Sequence, residues 1–397
     1  MESIAMSNHP PSSNVDPRRI LVRGVNWLGD AVMITPALHR LREKFPQARI
    51  TLLTHEKLAE LWKHQPSLDD TLSFAAGESV WSVCRRLRGE QFDLALVLPN
   101  SPRAALEAWL ARIPQRIGYA RPWRNWFLTR MVASRFGWTP MRKLSAREVR
   151  LRTSEASPIT FHVSRFAGQG AHQIHEYLHL VAAVGASAEP LAPSLEVTPA
   201  EIADAERAFL AGQLNGLSSK QPPLFFGLNP GAEYGPAKRW PVDRFIEAAR
   251  QIQQRADCTW LIFGSKADLP TAEAIHSALL GASERNADGR APRSGVLNLA
   301  GKTSLRELMA LLKLCRVLLT NDTGPMHVAA ALGTPVVVPF GSTSPELTGP
   351  GLPGDARHRL LKSAVPCSPC FRRKCPIDFR CMASITVDQV VGAVTAR

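Results

Sequence analysis

Three loops of the sequence combine glycines with charged or hydroxyl side chains that could serve a phosphorylated substrate. In the first loop, Gly24 and Gly29 allow a tight turn, and Asp30 follows at the start of a helix. A carboxylate at this position can act as a general base, or it can cap the helix by accepting a backbone hydrogen bond. Both interpretations of Asp30 are open. The loop lacks the G-x-G-x-x-G pattern, which argues against a nicotinamide oxidoreductase.

The second loop, residues 229–241, places cations next to glycines. Its glycines permit close approach of a ligand to the backbone, and Lys238 and Arg239 come just before a predicted helix. Both features suit a phosphate group, because cations and helix N-termini attract anions. The alternative is a plain surface loop with exposed charge.

The third loop, residues 320–327, connects a predicted strand to a predicted helix. Backbone N–H groups after Gly324 would point at an anion in the favourable field of the helix dipole, and Thr323 could donate a further hydrogen bond. Asp322 suits helix capping or a hydroxyl contact better than direct contact with phosphate. His327 by itself is typical of a structural histidine.

These loops fall within two successive runs of alternating strands and helices. Apolar strands are predicted at 20–22, 50–53, 94–98, 224–228, 259–263, 317–320 and 336–338, and helices at 34–45 and 242–254, from Ser304 and near Pro325. Continuously apolar strands indicate parallel sheets covered on both faces, so the fold class is α/β with two doubly wound domains. We predict a disordered tail (1–17), a first domain (18–205), a linker (206–223) and a second domain (224–397).

Composition and charge limit the possible classes of protein. The chain has 397 residues, of which 45% are hydrophobic and 21% charged, as in ordinary globular proteins. No apolar run approaches the length of about 18 residues that spans a bilayer, and residues 1–17 do not resemble a signal peptide. The sequence therefore predicts a cytoplasmic location.

The formal net charge of +14 is concentrated in residues 116–165. Eleven Arg or Lys residues there face only two Glu, which leaves a local charge of +9. Such a segment can attract nucleic acid, a phosphorylated substrate or an anionic membrane, or it can be a solvated loop without a partner. Composition alone does not choose among these alternatives.

Four of the seven cysteines are clustered near the C-terminus. They are Cys367, Cys370, Cys375 and Cys381, within 15 residues. In a reducing compartment this spacing predicts a structural zinc or iron site, and the alternatives are free thiols or oxidisable pairs. The remaining three are isolated and are predicted to be buried thiols (Cys84, Cys258 and Cys315).

Four blocks of sequence, taken in order, resemble the heptosyltransferases of lipopolysaccharide inner-core synthesis. The blocks are 26–38 (NWLGDAVMITPAL), 97–101 (VLPNS), 230–241 (PGAEYGPAKRWP) and 321–332 (NDTGPMHVAAAL). The resemblance extends from about residue 19 to residue 345 and is poor between about 119 and 171.

This resemblance implies a two-domain GT-B glycosyltransferase of the inverting kind. It would move L-glycero-D-manno-heptose from ADP-heptose to the first heptose of the lipid A–Kdo core, with the acceptor bound by the first domain and the donor by the second. The aspartate matching Asp30 is the general base in the family. The implied donor site consists of Gly231, Lys238, Gly264, Ser265, Asp322, Thr323, Gly324 and His327, with Lys238 also stabilising the departing ADP.

Acceptor residues are harder to assign because the match is weakest in the first domain. We expect Asn100, Arg121 and Arg124 to contact the acceptor. No Asp-x-Asp motif occurs, which argues against a metal-chelated diphosphate, and no cofactor is expected for catalysis.

Three rival functions are open: a heptosyltransferase with another acceptor, a sugar-nucleotide epimerase of the same architecture, and a nucleic-acid-binding protein. The acid/base set of an epimerase is not identifiable, and no recognised nucleic-acid-binding motif is present. We therefore expect a peripheral enzyme at the inner face of the inner membrane, with its basic segment attracted to lipid and no nucleic-acid partner.

Overall fold

The structure, a computed structural model, describes residues 16–154, 169–211, 224–280 and 295–396. Nearly all of the predicted tail, residues 212–223 of the predicted linker and the end of the basic segment lie outside these ranges. The predicted domain boundaries stay a prediction.

The first sheet has six parallel strands in the order β3-β2-β1-β4-β5-β6. Its strands are β1 (Arg19–Arg23), β2 (Arg49–His55), β3 (Asp70–Phe74), β4 (Leu94–Val97), β5 (Gln115–Tyr119) and β6 (Arg130–Val132). The central strands are apolar and almost wholly buried because helices cover both faces. Strand order reverses at β1, so the crevice at its carboxyl end is where a doubly wound sheet binds ligands.

The second sheet repeats this arrangement, with six parallel strands in the order β12-β11-β10-β7-β8-β9. They are β7 (Leu224–Asn229), β8 (Cys258–Ile262), β9 (Val296–Asn298), β10 (Val317–Thr320), β11 (Val336–Phe340) and β12 (Arg359–Lys362). The loops of interest follow β1, β7 and β10, and these are central strands. The predicted pair of doubly wound α/β domains is confirmed.

The α-helices of the described chain cover the two sheets. They are Leu28–Met33, Thr35–Lys44, Val80–Gly89, Pro102–Leu110, Ala146–Thr153, Ile174–Ala182, Pro199–Ala205, Val242–Ala256, Leu269–Leu280, Leu305–Leu314, Gly324–Ala331, Pro345–Thr348, Arg380–Ala383 and Val387–Thr395. None is long and apolar enough to cross a bilayer, a finding that extends to the described residues only.

Local sequence signals explain several helix boundaries. The predicted capping box forms: Ser304 Oγ accepts from the Glu307 backbone N–H at 3.2 Å, and Glu307 Oε2 accepts from the Ser304 N–H at 2.7 Å. Helix Val242–Ala256 ends where Asp257 adopts a left-handed conformation with φ of 43°. The structure adds a short helix, Leu28–Met33, before the one predicted at 34–45.

Candidate functional site

The two domains meet where the loop after β1 faces the helix that follows β10. A side chain at Gly29 would lie 2.7 Å from the His327 ring, and one at Gly324 would lie 2.8 Å from the side chain of Leu28. Glycine is therefore required at both positions for the two helix N-termini to come this close. Asp30 of the first domain is thereby brought to the loops of the second.

A cavity of 410 Å³ opens at this junction and brings together six of the predicted site residues. Among its lining residues are Asp30, Lys238, Asp322, Thr323, Gly324 and His327. Asp30, the general base implied by the resemblance, and most of the implied donor residues thus line one cleft.

Asp30 is partly buried at the cleft wall. Burial raises the pKa of its carboxyl group to about 6, and the positive charge of Lys238 opposes part of that shift. The N-cap of helix Leu28–Met33 is Trp27, and no side chain caps this helix, so the alternative interpretation of Asp30 as a cap is wrong. A carboxylate with this pKa is mostly ionised at neutral pH and is basic enough to accept a proton.

Half-buried Lys238 and buried Asp322 form an ion pair in the cleft. Lys238 Nζ lies 2.7 Å from Asp322 Oδ2, and the Thr343 hydroxyl donates to the same oxygen at 2.5 Å. The ammonium group also lies 4.8 Å from the centre of the Tyr234 ring. Asp322 therefore fixes the position of the lysine, which agrees with the expectation that this aspartate does not bind phosphate directly.

The helix Gly324–Ala331 presents its N-terminus to the cleft. Its N-cap is Thr323, and no side-chain hydrogen bond caps it, so the helix dipole faces the cavity uncompensated. His327 is buried, and burial lowers its pKa to about 4. The imidazole is therefore neutral at pH 7 and adds no positive charge.

The other three predicted donor residues lie beside the cavity rather than on its lining. They surround Asp268: its Oδ2 accepts from the Ser265 N–H at 3.0 Å, and a side chain at Gly231 would lie 2.6 Å from its carboxylate. Gly264 is equally constrained, with Asp268 Cβ 3.0 Å from the position of an added Cβ. A donor role for these residues stays a prediction.

The predicted acceptor residues lie near the carboxyl ends of β4 and β5. Asn100 is exposed, and Arg121 is half-buried, 5.1 Å from the Trp138 ring. Arg124 is wholly buried, and its guanidinium donates to the carbonyl oxygens of Pro99 (2.5 Å) and Val97 (3.4 Å). These contacts give Arg124 a structural role in anchoring its loop, whereas its acceptor contact stays a prediction.

Asn321 is a positioning residue that sequence reasoning missed. Its Oδ1 accepts from the Trp240 N–H at 2.9 Å, and its Nδ2 donates to the Pro230 carbonyl at 2.7 Å. Buried Asn321 thus fastens both ends of the loop that carries Lys238 to the loop after β10. The position of Asn321 directly after a buried strand was the one feature of the sequence that could have indicated this role.

The cysteine-containing segment also reaches the cleft, which the sequence did not suggest. Its Phe371 and Arg373 line the cavity. The Tyr234 hydroxyl donates to the Phe371 carbonyl at 2.7 Å, and the Ala237 N–H donates to the Arg373 carbonyl at 3.1 Å. Gly235 has φ of +146°, and a side chain there would lie 2.6 Å from the same Arg373 oxygen. The segment is therefore fastened to the lysine loop.

The four clustered cysteines are close enough to influence one another but do not form a ligand set. Burial raises the pKa of Cys381 to about 12, with further contributions from Cys367, Cys370 and Cys375. Within the described ranges, no three His, Cys, Asp or Glu side chains are arranged to hold a metal ion. The other three cysteines are buried, as predicted.

A structural metal at these cysteines therefore stays a prediction from the sequence. We expect elemental analysis of the purified protein to find stoichiometric zinc or iron, and we expect chelation to remove it. Because burial raises the thiol pKa values of Cys367, Cys370 and Cys381, metal binding should release protons. Absence of metal from both untreated and chelated samples would contradict the prediction.

Comparison with known proteins now identifies the family. Residues 149–379 match the model of glycosyltransferase family 9 (heptosyltransferase). The chain is 31% identical to lipopolysaccharide heptosyltransferase 2 of Escherichia coli K12 over 340 residues, 84% of this chain and 85% of that protein. The chain belongs to glycosyltransferase family 9.

Other family members agree over nearly the full length. Lipooligosaccharide heptosyltransferase 2 of Campylobacter jejuni serotype O:2 (strain NCTC 11168) is 26% identical across 94% of this chain and 96% of that protein. The solved structure of E. coli ADP-heptose LPS heptosyltransferase II superposes with a TM-score of 0.70 at 27% identity, covering 95% of this chain and 98% of that chain. The GT-B architecture implied by the resemblance is confirmed, and this family 9 protein is a glycosyltransferase.

Proposed function

We propose that this protein transfers L-glycero-D-manno-heptose from ADP-heptose to the first heptose of the lipid A–Kdo core, with inversion at the anomeric carbon. The observation that carries the proposal is the single cleft in which Asp30 of one domain faces Lys238 and the helix N-terminus at Gly324 of the other. A carboxylate and a phosphate-binding surface on opposite sides of a cleft are what a displacement at a sugar–diphosphate bond requires.

In the proposed reaction, Asp30 accepts the proton of the acceptor hydroxyl while the hydroxyl oxygen attacks the anomeric carbon of the donor. The bond between that carbon and the diphosphate oxygen breaks, and ADP departs with an added negative charge. Lys238 and the dipole of helix Gly324–Ala331 are placed to stabilise that charge. Attack from the side opposite the leaving group gives inversion.

The choice of donor and acceptor follows the relatives. The solved E. coli structure is that of an ADP-heptose enzyme, and the E. coli K12 and C. jejuni relatives are heptosyltransferases 2. The acceptor would be presented at the inner face of the inner membrane, where this chain would act as a peripheral cytoplasmic protein with no nucleic-acid partner.

Incubation with ADP-heptose and defined acceptors tests the proposal. The Kdo–lipid A acceptor bearing one heptose should gain a second heptose, detected by mass spectrometry, and the acceptor without heptose should not react. Nuclear magnetic resonance of the new anomeric centre should show the configuration opposite to that of the donor. Transfer only to another acceptor, or retention of configuration, would contradict the proposal.

Arg373 provides a further prediction about donor binding. It lines the cleft, and its guanidinium lies 5.2 Å from the centre of the Tyr234 ring. The Lys238 ammonium lies over the same ring. Arg373 has no carboxylate within ion-pair distance in the described part of the chain, whereas Lys238 is paired with Asp322. An arginine so placed is available to a diphosphate.

We expect Arg373→Gln to weaken ADP binding by about tenfold while leaving adenosine binding unchanged, measured by isothermal titration calorimetry. Lys374→Gln is the matched control, because Lys374 is the adjacent exposed cation and does not line the cleft. Equal losses for ADP and adenosine would contradict a contact with the diphosphate.

A further inference from the structure

Half of the exposed large hydrophobic side chains in the described residues lie in one segment of the first domain, residues 121–154. Of the fourteen exposed large hydrophobic side chains in the described residues, seven lie between Trp123 and Leu151. The three most exposed are Phe136 (99%), Trp126 (88%) and Trp123 (84%). Single exposed apolar residues are ordinary, but a concentration of aromatic residues marks an interaction surface.

The backbone beneath these aromatic residues is firmly anchored. Buried Arg124, between Trp123 and Trp126, donates to carbonyl oxygens at the carboxyl end of β4. Arg135, next to Phe136, forms an ion pair with Glu176 at 3.2 Å. The chain beside the three exposed rings is thus held in place by internal contacts.

Arg121 joins the two loops that carry the aromatic residues. Its guanidinium donates to Ser134 Oγ at 2.9 Å and lies 5.1 Å from the Trp138 ring. The loops leave the carboxyl ends of β5 and β6, which are paired in parallel. Trp123 and Phe136 therefore lie towards the same carboxyl end of the first sheet as the loop carrying Asp30, which follows β1. Trp126 lies on the part of its loop that returns towards the amino end, where the neighbouring Phe127 carbonyl accepts from Arg116 Nε.

The same segment is strongly basic. Residues 121–154 contain nine Arg or Lys and one acidic residue, Glu148, a net charge of +8. On helix Ala146–Thr153, Val149 is buried, whereas Arg147, Arg150 and Leu151 are exposed at helical spacing. Neither Arg147 nor Arg150 has a carboxylate partner among the described residues. The surface thus joins apolar rings with uncompensated cations.

We propose that residues 121–154 dock this protein on an anionic lipid membrane, with Trp123, Trp126 and Phe136 inserted at the headgroup level. Aromatic rings prefer this interface, and each nearby arginine adds electrostatic attraction to anionic lipid. This deepens the proposed function, on which it rests, because the cleft edge would then face a lipid-borne acceptor.

The positive charge of residues 121–154 argues against a second copy of the chain as the binding partner of this surface. A symmetric dimer formed through this surface would place two segments of charge +8 against each other. Single-stranded RNA could also use arginines and stacked aromatic rings. The position of the surface beside the cleft favours lipid, and RNA binding is one outcome of the test.

Cosedimentation with vesicles tests this surface in the full-length protein. Wild type should bind phosphatidylcholine vesicles containing phosphatidylglycerol at least about tenfold better than pure phosphatidylcholine vesicles. Trp123→Ala/Trp126→Ala/Phe136→Ala should lower that binding by about tenfold or more. Arg147→Glu/Arg150→Glu should lower it by about twentyfold.

Matched controls locate the effect. Trp81 is exposed on helix Val80–Gly89, which follows β3 at the far end of the sheet, and Arg255 and Arg316 are exposed in the second domain. Trp81→Ala and Arg255→Glu/Arg316→Glu should bind vesicles as wild type does. ADP binding by every variant verifies folding. Heptose transfer to a deacylated, water-soluble acceptor tests the proposed function separately, since it needs no membrane.

Equal vesicle binding by wild type and both surface variants would overturn the proposal. So would equal losses in the controls, tighter binding of wild type to single-stranded RNA than to vesicles, or self-association that the aromatic substitutions abolish.

Discussion

Asp30→Asn is expected to lower the turnover of heptose transfer by about 10²–10⁴-fold while ADP binding stays close to that of wild type. Asparagine keeps the size of the side chain but cannot accept the proton of the acceptor hydroxyl. The carboxylate faces Lys238 across the cleft, so its loss should not weaken attraction for an anionic donor. Turnover would be measured by product mass and ADP binding by calorimetry.

Asp388→Asn is the matched control for this substitution. Asp388 also lies in the first turn of a helix, Val387–Thr395, but it is exposed and is not part of the cleft lining. This control shows how much of any effect comes from removing a negative charge near a helix N-terminus, and the remainder then comes from removing the proposed base. Turnover by Asp30→Asn at the wild-type rate would exclude Asp30 as the base.

Lys238→Ala should weaken ADP binding and lower turnover together, with a combined loss of about 10²–10³-fold in kcat/KM. The lysine lines the cleft together with Asp30 and Gly324, and its charge acts on Asp30, so it should act on the ground state and more strongly on the departing diphosphate. Calorimetry measures the loss of ADP binding, and initial rates at several donor concentrations measure the loss of turnover. Lys57→Ala, at an exposed position of the first domain, is the control.

Loss of Lys238 also leaves the Asp322 carboxylate buried without its cation, which could destabilise the fold. Lys238→Ala/Asp322→Asn removes that charge and should restore thermal stability but not activity. Lys238→Arg should retain part of the activity because the charge is kept. Wild-type kinetics for Lys238→Ala would remove this residue from the donor site.

The sequence predicted the fold and the centre of the site well, because both depend on local signals. Alternating apolar strands and helices indicated two doubly wound domains, and the loops after β1, β7 and β10 were recognised by their glycines and charges. Five strands escaped prediction: β5 and the four edge strands β3, β6, β9 and β12. They are short and only partly buried, so their apolar patterns are weak.

Contacts between distant parts of the chain could not be predicted. The sequence predicted an acceptor contact for Arg124 but gave no sign that its guanidinium is buried against the carbonyl oxygens of Val97 and Pro99. Arg373 lies among the cysteines in sequence, yet it lines the cleft, and its carbonyl accepts a hydrogen bond from the Ala237 N–H. Such placements are decided by tertiary packing, for which spacing along the chain gives no signal.

The structure shows which arginines of the basic segment are exposed, which the charge count of the sequence did not. The sequence located the positive charge, but exposure separated the arginines into two groups. Arg124 and Arg135 hold the backbone, whereas Arg147 and Arg150 are exposed on a helix. Only the exposed group is available to a partner.

Proton transfer to Asp30 is tested most directly by the pH dependence of kcat/KM for heptose transfer, which reports on ionisation in the free enzyme. Burial raises the Asp30 pKa to about 6, and only the ionised carboxylate can accept a proton. We therefore predict that kcat/KM falls about tenfold per pH unit below 6 and is level from about 7 to 8. A kcat/KM that does not change between pH 5 and 7 would contradict the assignment of Asp30 as the base.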